Sequence, residues 1–410
     1  MKLSQFLCKH HIGRQIRQLW YIQGKKKPLD FNTESKLTSQ GVHIEDALEV
    51  TNNLRKLNIK VCNFSDQVAP IKVDTHPYFN NEPCFLYEDN DLLVKGLTQA
   101  QKITNTIVFD TLPESIESIT QDLSDKTNDS VKRIIQSSII FDAHQQLLPK
   151  LKDPDRPAFN FPRKFGITNN RKTSNLNKKF IQLCNCLSGS NIGNSRSIMD
   201  DAFLCVPFDK DFHKFKFSLT IDIMLMSKNI LRPVRKLDTE YESMTLPTIY
   251  PLQYLIGLTK SQIYEFKNLY PFISEYNKKY IHTIFIYYDS TKVKNLTELE
   301  IEETQIFGRA LIKAFTAAAS TARQRYGANV KTLPEPITVQ CIHTDSKAYY
   351  FSVYQLNTLD INGEKGIKNY CWALPKLNLY DLADYVQGIP TLEGYNPDVF
   401  KRILAFYKNQ

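Results

Sequence analysis

No stretch of this chain approaches the 18 consecutive apolar residues of a membrane-spanning helix. The nearest apolar run, Ile221-Asp-Ile-Met-Leu-Met226, is short and carries an aspartate. Cysteine is sparse: eight residues in 410, placed singly except for Cys184-Asn-Cys186. That is no disulfide framework for so large a chain, and it points to a reducing compartment. Catalytic signatures are missing as well. There is no nucleophile elbow, no zinc-peptidase helix and no dinucleotide fingerprint. Gly189-Ser-Asn-Ile-Gly193-Asn-Ser195 superficially suggests a phosphate loop, but its spacing is wrong and no lysine precedes Ser195; it reads as a turn. No internal repeat or low-complexity segment is present. An enzyme whose site is assembled from distant residues is not excluded by missing motifs.

What the chain has is unevenly placed positive charge. The formal net charge is +9. Residues 1–29 hold Lys2, Lys9, Arg14, Arg17, Lys25, Lys26 and Lys27 with no acid, a local +7 that leaves only +2 for the rest. Leu3, Phe6 and Leu7 fall among these charges, so the leader can form a basic amphipathic helix. That is how a mitochondrial transit peptide is built, and a basic RNA-binding arm shares the composition. The near-neutral body differs from a small, strongly basic RNA-coating protein.

A second basic run spans Lys150 to Lys179, with nine Lys and Arg against Asp153 and Asp155. Pro154, Pro157 and Pro162 fall among Phe159, Phe161 and Phe165, so its first half is expected to be extended. Phosphate contact and base stacking are both open to such a segment, as is the plainer role of a solvated surface. The candidate RNA contacts are Arg163, Lys164, Arg171, Lys172, Lys178 and Lys179.

Three other groupings invite a site. Cys184 and Cys186 would need a second Cys or His pair to hold zinc; two cysteines beside a helix core face is the plainer reading. Asp209, Asp211 and His213 alternate onto one face between two strands, where a hard cation or an ordinary turn would suit them. His343, at a strand end, fits a structural role. No metal site, cofactor or catalytic residue is assigned.

The longest helical pattern is TELEIEETQIFGRALIKAFTAAASTARQRYG, from Thr297. Thr297 with Glu300 reads as a capping box, acids crowd the first turns and Arg323 and Arg325 the last, and Gly327 is the stop. Phe307, Leu311 and Phe315 recur at i, i+4 beside a row containing Ala314 and Ala318. This stripe of small residues would let another backbone approach, as core or interface. The helix would run roughly 40 Å. Strands at Ile337–His343 and Tyr349–Leu356 follow, joined by turn residues Thr344–Lys347.

Elsewhere the spacing predicts helices over Gly41–Leu57, Thr98–Ile107, from Pro113, over Asp129–Leu148, and from Thr173 or Ser174 to Leu187. It predicts a hairpin of Cys84–Tyr87 with Leu92–Val94, and strands at Ala202–Pro207, Phe212–Met226 and Tyr280–Tyr288. The expected class is α+β: a mixed or antiparallel sheet with flanking helices, one long helix preceding a C-terminal β-hairpin. The expected division is a leader at 1–29, a helix and hairpin region at 30–149, a basic extended seam at 150–180 and an α+β region at 181–410.

Several short runs carry a likeness. Pro336-Ile-Thr-Val-Gln340, Thr344-Asp345, Gln355-Leu-Asn-Thr358, Gly366-Ile-Lys-Asn369 and Trp372, with Arg325-Tyr326-Gly327 before them, resemble the family of large-subunit mitochondrial ribosomal protein thirty-seven. That family is related to programmed cell death protein nine. The likeness reaches His76-Pro77, Cys84 and Leu112-Pro113-Glu114 upstream, and Phe400-Lys401, Leu404-Ala405 and Tyr407 downstream. It is tight in the C-terminal third and loose between about Pro149 and Asn295. The resemblance implies a structural constituent of the mitochondrial large ribosomal subunit, located in the matrix. It also implies contacts with large-subunit rRNA and with a relative like programmed cell death protein nine.

Overall fold

The computed structural model describes residues 17–19, 21, 32–46, 48–50, 83–150, 153, 156, 158–236, 242–263, 266–271, 276–295 and 299–410. The chain divides into two units, Met1–Lys72 and Val73–Gln410. The first contains helix α1 (Thr33–Ser39), which buries no residue. Most of the leader lies outside the described residues. In the helix expected over Gly41–Leu57, residues 42–46 are not helical and 48–50 are.

The second unit opens with β1 (Cys84–Glu88), α2 (Gly96–Thr104), β2 (Thr106–Phe109), α3 (Glu114–Glu117) and α4 (Asp125–Ile139). Then come β3 (Gln146–Leu147), β4 (Phe165–Gly166), α5 (Asn169–Leu187), α6 (Ser190–Ser195), β5 (Arg196–Lys210), β6 (His213–Ser227), β7 (Thr259–Ser261) and β8 (Tyr280–Tyr287). Helix α7 (Glu303–Tyr326) precedes β9 (Thr332–Thr344), β10 (Ala348–Thr358), β11 (Asn369–Ala373) and β12 (Leu377–Asn378). A small hairpin, β13 (Leu382–Val386) and β14 (Ile389–Glu393), leads to α8 (Pro397–Lys408).

Among the described residues one mixed sheet has ten strands, in the order β2-β11-β10-β9-β8-β6-β1-β7, with β12 beside β10 and β5 beside β6. The long strand β6 pairs along one edge with β5, from Arg196↔Ser227 to Lys210↔His213. Its other edge takes β1 in parallel at Phe215–Ser218 and β8 antiparallel at Ile223–Ser227. The parallel neighbours β8 and β9 are joined through α7, the crossover that parallel pairing requires. The 24-residue helix spans about 36 Å.

Alternation divides the sheet into two faces. Ile284 and Ile286 of β8, Val339 and Cys341 of β9, and Tyr354 and Leu356 of β10 share one apolar cluster with α7. Phe285, Ile342, Phe351 and Val353 lie in the other, with α4, α5 and α8. β2 is one end of the strand order and β1 lies next to the other end, so the segment between them traverses the α7 side of the sheet, and α2 packs on α7.

The structure corrects the expected local details. Helix α7 starts at Glu303, with Glu302 as its cap in a box with Gln305; Thr297 is outside the described residues and Glu300 is not helical. Its end is as expected, at Gly327 with φ 102°. Leu92–Val94 forms no strand: β1 pairs with β6 and β7. Helix α2 stops at Thr104, and Asn105 in the left-handed region turns the chain into β2. Gly189–Ser195 is a short helix, α6, entered through Gly189 at φ 79°.

The polar residues that carry the resemblance tie elements together. The Gln355 amide accepts from the backbone N–H groups of Val234 and Arg235 and donates to Asn357. Asn369 accepts from the Asn357 N–H at 2.8 Å and donates to the Thr104 carbonyl at 3.0 Å, joining β10, β11 and α2. Gln340 donates to Thr283 and the Phe406 carbonyl and accepts from Asn409, holding α8 against β8 and β9. Buried amides with several partners each fix a unique register, because any slip would strand them.

Candidate nucleic-acid interface

The basic run forms two different surfaces. Its first half is an excursion whose base is the short pair β3–β4, with Leu147 opposite Phe165 and the Leu148 N–H donating to the Lys164 carbonyl at 2.9 Å. Arg163 and Lys164 are exposed there. The second half is α5, which buries Thr173, Leu176, Asn177, Phe180, Ile181 and Cys184 at three- and four-residue spacing. Its cations fall on the flanks of that face.

Most of these helix cations are already engaged. Arg171 holds the Asp142 carboxylate in a two-pronged contact through Nε and Nη2, and Asn175 donates to the same carboxylate at 2.8 Å. The Arg171 hydrogen bond, with the backbone N–H of His144, pulls Asp142 down to about 2. Lys178 pairs with Asp200 at 2.7 Å. Lys179 donates to the hydroxyl and carbonyl of Ser137. These contacts clamp α5 to the end of α4 and to β5. Arg163, Lys164 and Lys172 make no ion pair among the described residues, so their charge is available to an external anion.

The other singled-out residues fall elsewhere. Leu311, Ala314, Phe315 and Ala318 are buried, and Phe307 is half-buried. Phe315 meets Phe208, Phe217 and Tyr354 edge-on, and Phe307 meets Tyr350 at 5.1 Å. Asp211 sits at the β5–β6 turn with φ 49°, accepting from the Tyr254 hydroxyl and the Gly363 N–H. His213 lies edge-on to Phe85. Cys184 is buried and Cys186 exposed. No cluster of three or more His, Cys, Asp or Glu suited to a metal occurs among the described residues.

Sequence reasoning missed a buried charged network on α7. Lys313 donates to Asp89 at 2.8 Å and to the Thr220 carbonyl at 2.7 Å. Arg309, one turn earlier, reaches the carbonyls of Tyr287 and Asp89 and the His343 ring. Burial and the neighbouring Arg309 and Lys313 hold His343 well below the usual histidine range, so its neutral Nε2 accepts from Arg309. Asp89, Arg309 and Lys313, with Asp222 and Asp289, line a cavity of about 460 Å³. The available signal was two cations at i, i+4 inside an otherwise apolar helix.

The C-terminal segment 292–410, from before α7 through α8, matches the family model described as mitochondrial 28S ribosomal protein S30 (PDCD9). Longer similarity exists to large ribosomal subunit protein mL37. The rat protein is 25% identical over 354 residues, 83% of this chain and 78% of the relative. The mouse protein is 26% identical over 356 residues, with the same coverage. The chicken protein is 25% identical over 342 residues, 81% of this chain and 75% of the relative. The family model's description names a small-subunit protein and covers the C-terminal segment alone, whereas the relatives matched over most of their length bear a large-subunit name. Over about four fifths of its length the chain is therefore homologous to large ribosomal subunit protein mL37, with a PDCD9 family domain at its C-terminal end.

Proposed function

We propose that the chain is a structural constituent of the mitochondrial large ribosomal subunit and not an enzyme. The observation that carries this reading is the similarity to mL37 proteins over 83% of the chain. The uneven charge supports it. A body of near-zero net charge suits a protein that meets other proteins over much of its surface, including a PDCD9-like relative, and touches rRNA locally. Arg163 and Lys164 on the excursion and Lys172 on α5 are the cations left for phosphate contact; Arg171, Lys178 and Lys179 position α5, which presents Lys172. No helix among the described residues is long and apolar enough to cross a membrane.

Tagged protein from mitochondrial lysate is expected to sediment with the large subunit. Sedimentation apart from it would favour a matrix enzyme. Replacing Arg163, Lys164 and Lys172 with glutamine should weaken association and flatten its salt dependence by about two to three in log–log slope, since each phosphate contact releases counterions. The deficit should be greatest at low salt. An unchanged slope would return these residues to an ordinary solvated surface.

The leader at 1–29 is proposed as the import signal. Removing residues 1–27 should leave the protein in the cytosol, and undiminished matrix import of the shortened chain would refute that role.

A further inference from the structure

We propose that the excursion carrying Phe159, Phe161 and Phe165 is a stacking platform for unpaired RNA nucleotides, with Arg163 and Lys164 taking the adjoining phosphates. This deepens the rRNA-contact reading and rests on it. Phe159, Phe161 and Phe165 are 46%, 41% and 71% exposed, three within seven residues, whereas Phe180, Phe215, Phe217, Phe315 and Phe351 of the same unit are fully buried. Exposed aromatic rings concentrated in one short segment mark a contact surface.

The platform is built rather than loose. Leu147 and Phe165 face each other across β3 and β4, and Leu147 is itself 44% exposed. The Asp153 N–H donates to the Phe159 carbonyl at 3.0 Å, and the Phe159 N–H donates to the Arg156 carbonyl at 2.8 Å. The Arg156 guanidinium, held by Asp153 at 2.9 Å, lies 4.8 Å from the Phe159 ring centre. Phe159 and Phe161 meet edge-on at 6.1 Å. Pro162 fixes its own φ between Phe161 and Arg163. Aromatic rings and cations are therefore interspersed between Arg156 and Phe165.

The chemistry selects the occupant. A protein surface covering these rings would have to bring carboxylates to Arg163 and Lys164, which make no ion pair among the described residues, because unpaired buried charge is costly. Single-stranded RNA offers π faces for the rings and phosphates for the cations at once. Paired RNA keeps its base faces stacked away from side chains.

The test uses the purified full chain and a single-stranded RNA oligonucleotide bearing one 2-aminopurine, with the same strand in duplex as control. The wild-type protein should change the 2-aminopurine emission on binding and prefer the single strand. A Phe159→Ser, Phe161→Ser, Phe165→Ser variant with an unchanged melting curve should bind the single strand about tenfold or more weaker for each base no longer stacked, with the salt slope intact. An Arg163→Gln, Lys164→Gln variant should flatten the slope and keep the emission change. Equal affinity for single strand and duplex, or full affinity in the serine variant, would overturn the platform while leaving backbone contact standing if the glutamine variant still weakens. A wild-type protein that binds neither form would overturn the rRNA reading and the platform together. A serine variant that binds RNA fully but fails to join the large subunit would reassign the patch to protein contact.

Discussion

Replacing Asp89 with alanine is expected to destabilise the Val73–Gln410 unit by about 2–3 kcal/mol, the cost of leaving the buried Lys313 ammonium without its carboxylate and the Thr220 N–H without its acceptor. The Lys313 side chain is 2% exposed and that of Asp89 35%, and Asp89 is the only carboxylate contact of Lys313 among the described residues. Asp89 also accepts from the Thr220 N–H through both oxygens at 2.9 and 3.0 Å, so it links the β1 turn, β6 and α7. Burial, with Arg309 adding repulsion, already holds Lys313 down at about 8, below its ordinary 10.5. Between those values the folded state binds fewer protons than the unfolded state, so this group's contribution to stability rises with pH across that window. Below about 8 the full penalty of the buried charge applies. Removing Asp89 deepens the depression, so the Lys313 part of the variant's deficit should be largest below about pH 8 and vanish above it, where the lysine is neutral in both folded proteins. A second substitution, Lys313→Met, should recover most of the loss by removing the charge. Urea melts at pH 7 and 9.5 measure both effects. A loss below about 1 kcal/mol at neutral pH would mean that the pair is solvated and interacts like a surface salt bridge.

Gly308→Ala should cost about 3 kcal/mol and lower the melting temperature by roughly 4 °C in a unit of this size. The sign is the informative part, because alanine in a helix interior is ordinarily favoured over glycine by about 1 kcal/mol. A Cβ at Gly308 would lie 2.6 Å from the carbonyl carbon of Gly96, and one at Gly96 would lie 2.5 Å from that of Thr304. Backbone meets backbone where α2 crosses α7, and neither can step aside by changing rotamer. Gly96 has φ +47°, so Gly96→Ala adds a left-handed backbone penalty of about 1–2 kcal/mol. Calorimetric melts in which either alanine variant matches or exceeds the wild type would show that the two helices do not touch there.

Features set by neighbours along the chain are legible in the sequence itself. Gly327 stops α7 because a helix end favours a residue that tolerates positive φ. Tyr349–Leu356 alternates because a strand's side chains point to opposite faces. The face of α5 buried through Leu176, Phe180 and Cys184 follows from helical spacing alone. Even here boundaries moved: α5 begins at Asn169 and not at Thr173 or Ser174, and α7 is capped by Glu302 with Gln305, a pair outside the usual Ser/Thr-x-x-Glu/Gln pattern.

The tertiary structure decided what depends on distant partners. Cys84–Tyr87 and Leu92–Val94 have the local pattern of a hairpin, yet β1 finds its partners in β6 and β7, well over a hundred residues on. Arg171, Lys178 and Lys179 look the same in sequence as Arg163 and Lys164; Asp142, Asp200 and Ser137 engage the first three and leave the others for an external anion. Arg309 and Lys313 interrupt an apolar stripe without revealing that the buried His343 and the half-buried Asp89 meet them. Helical and strand periodicity act over a few residues and are written into the chain. The pairing of buried charges, and the approach of Gly96 to Gly308, depend on which elements the sheet order brings side by side.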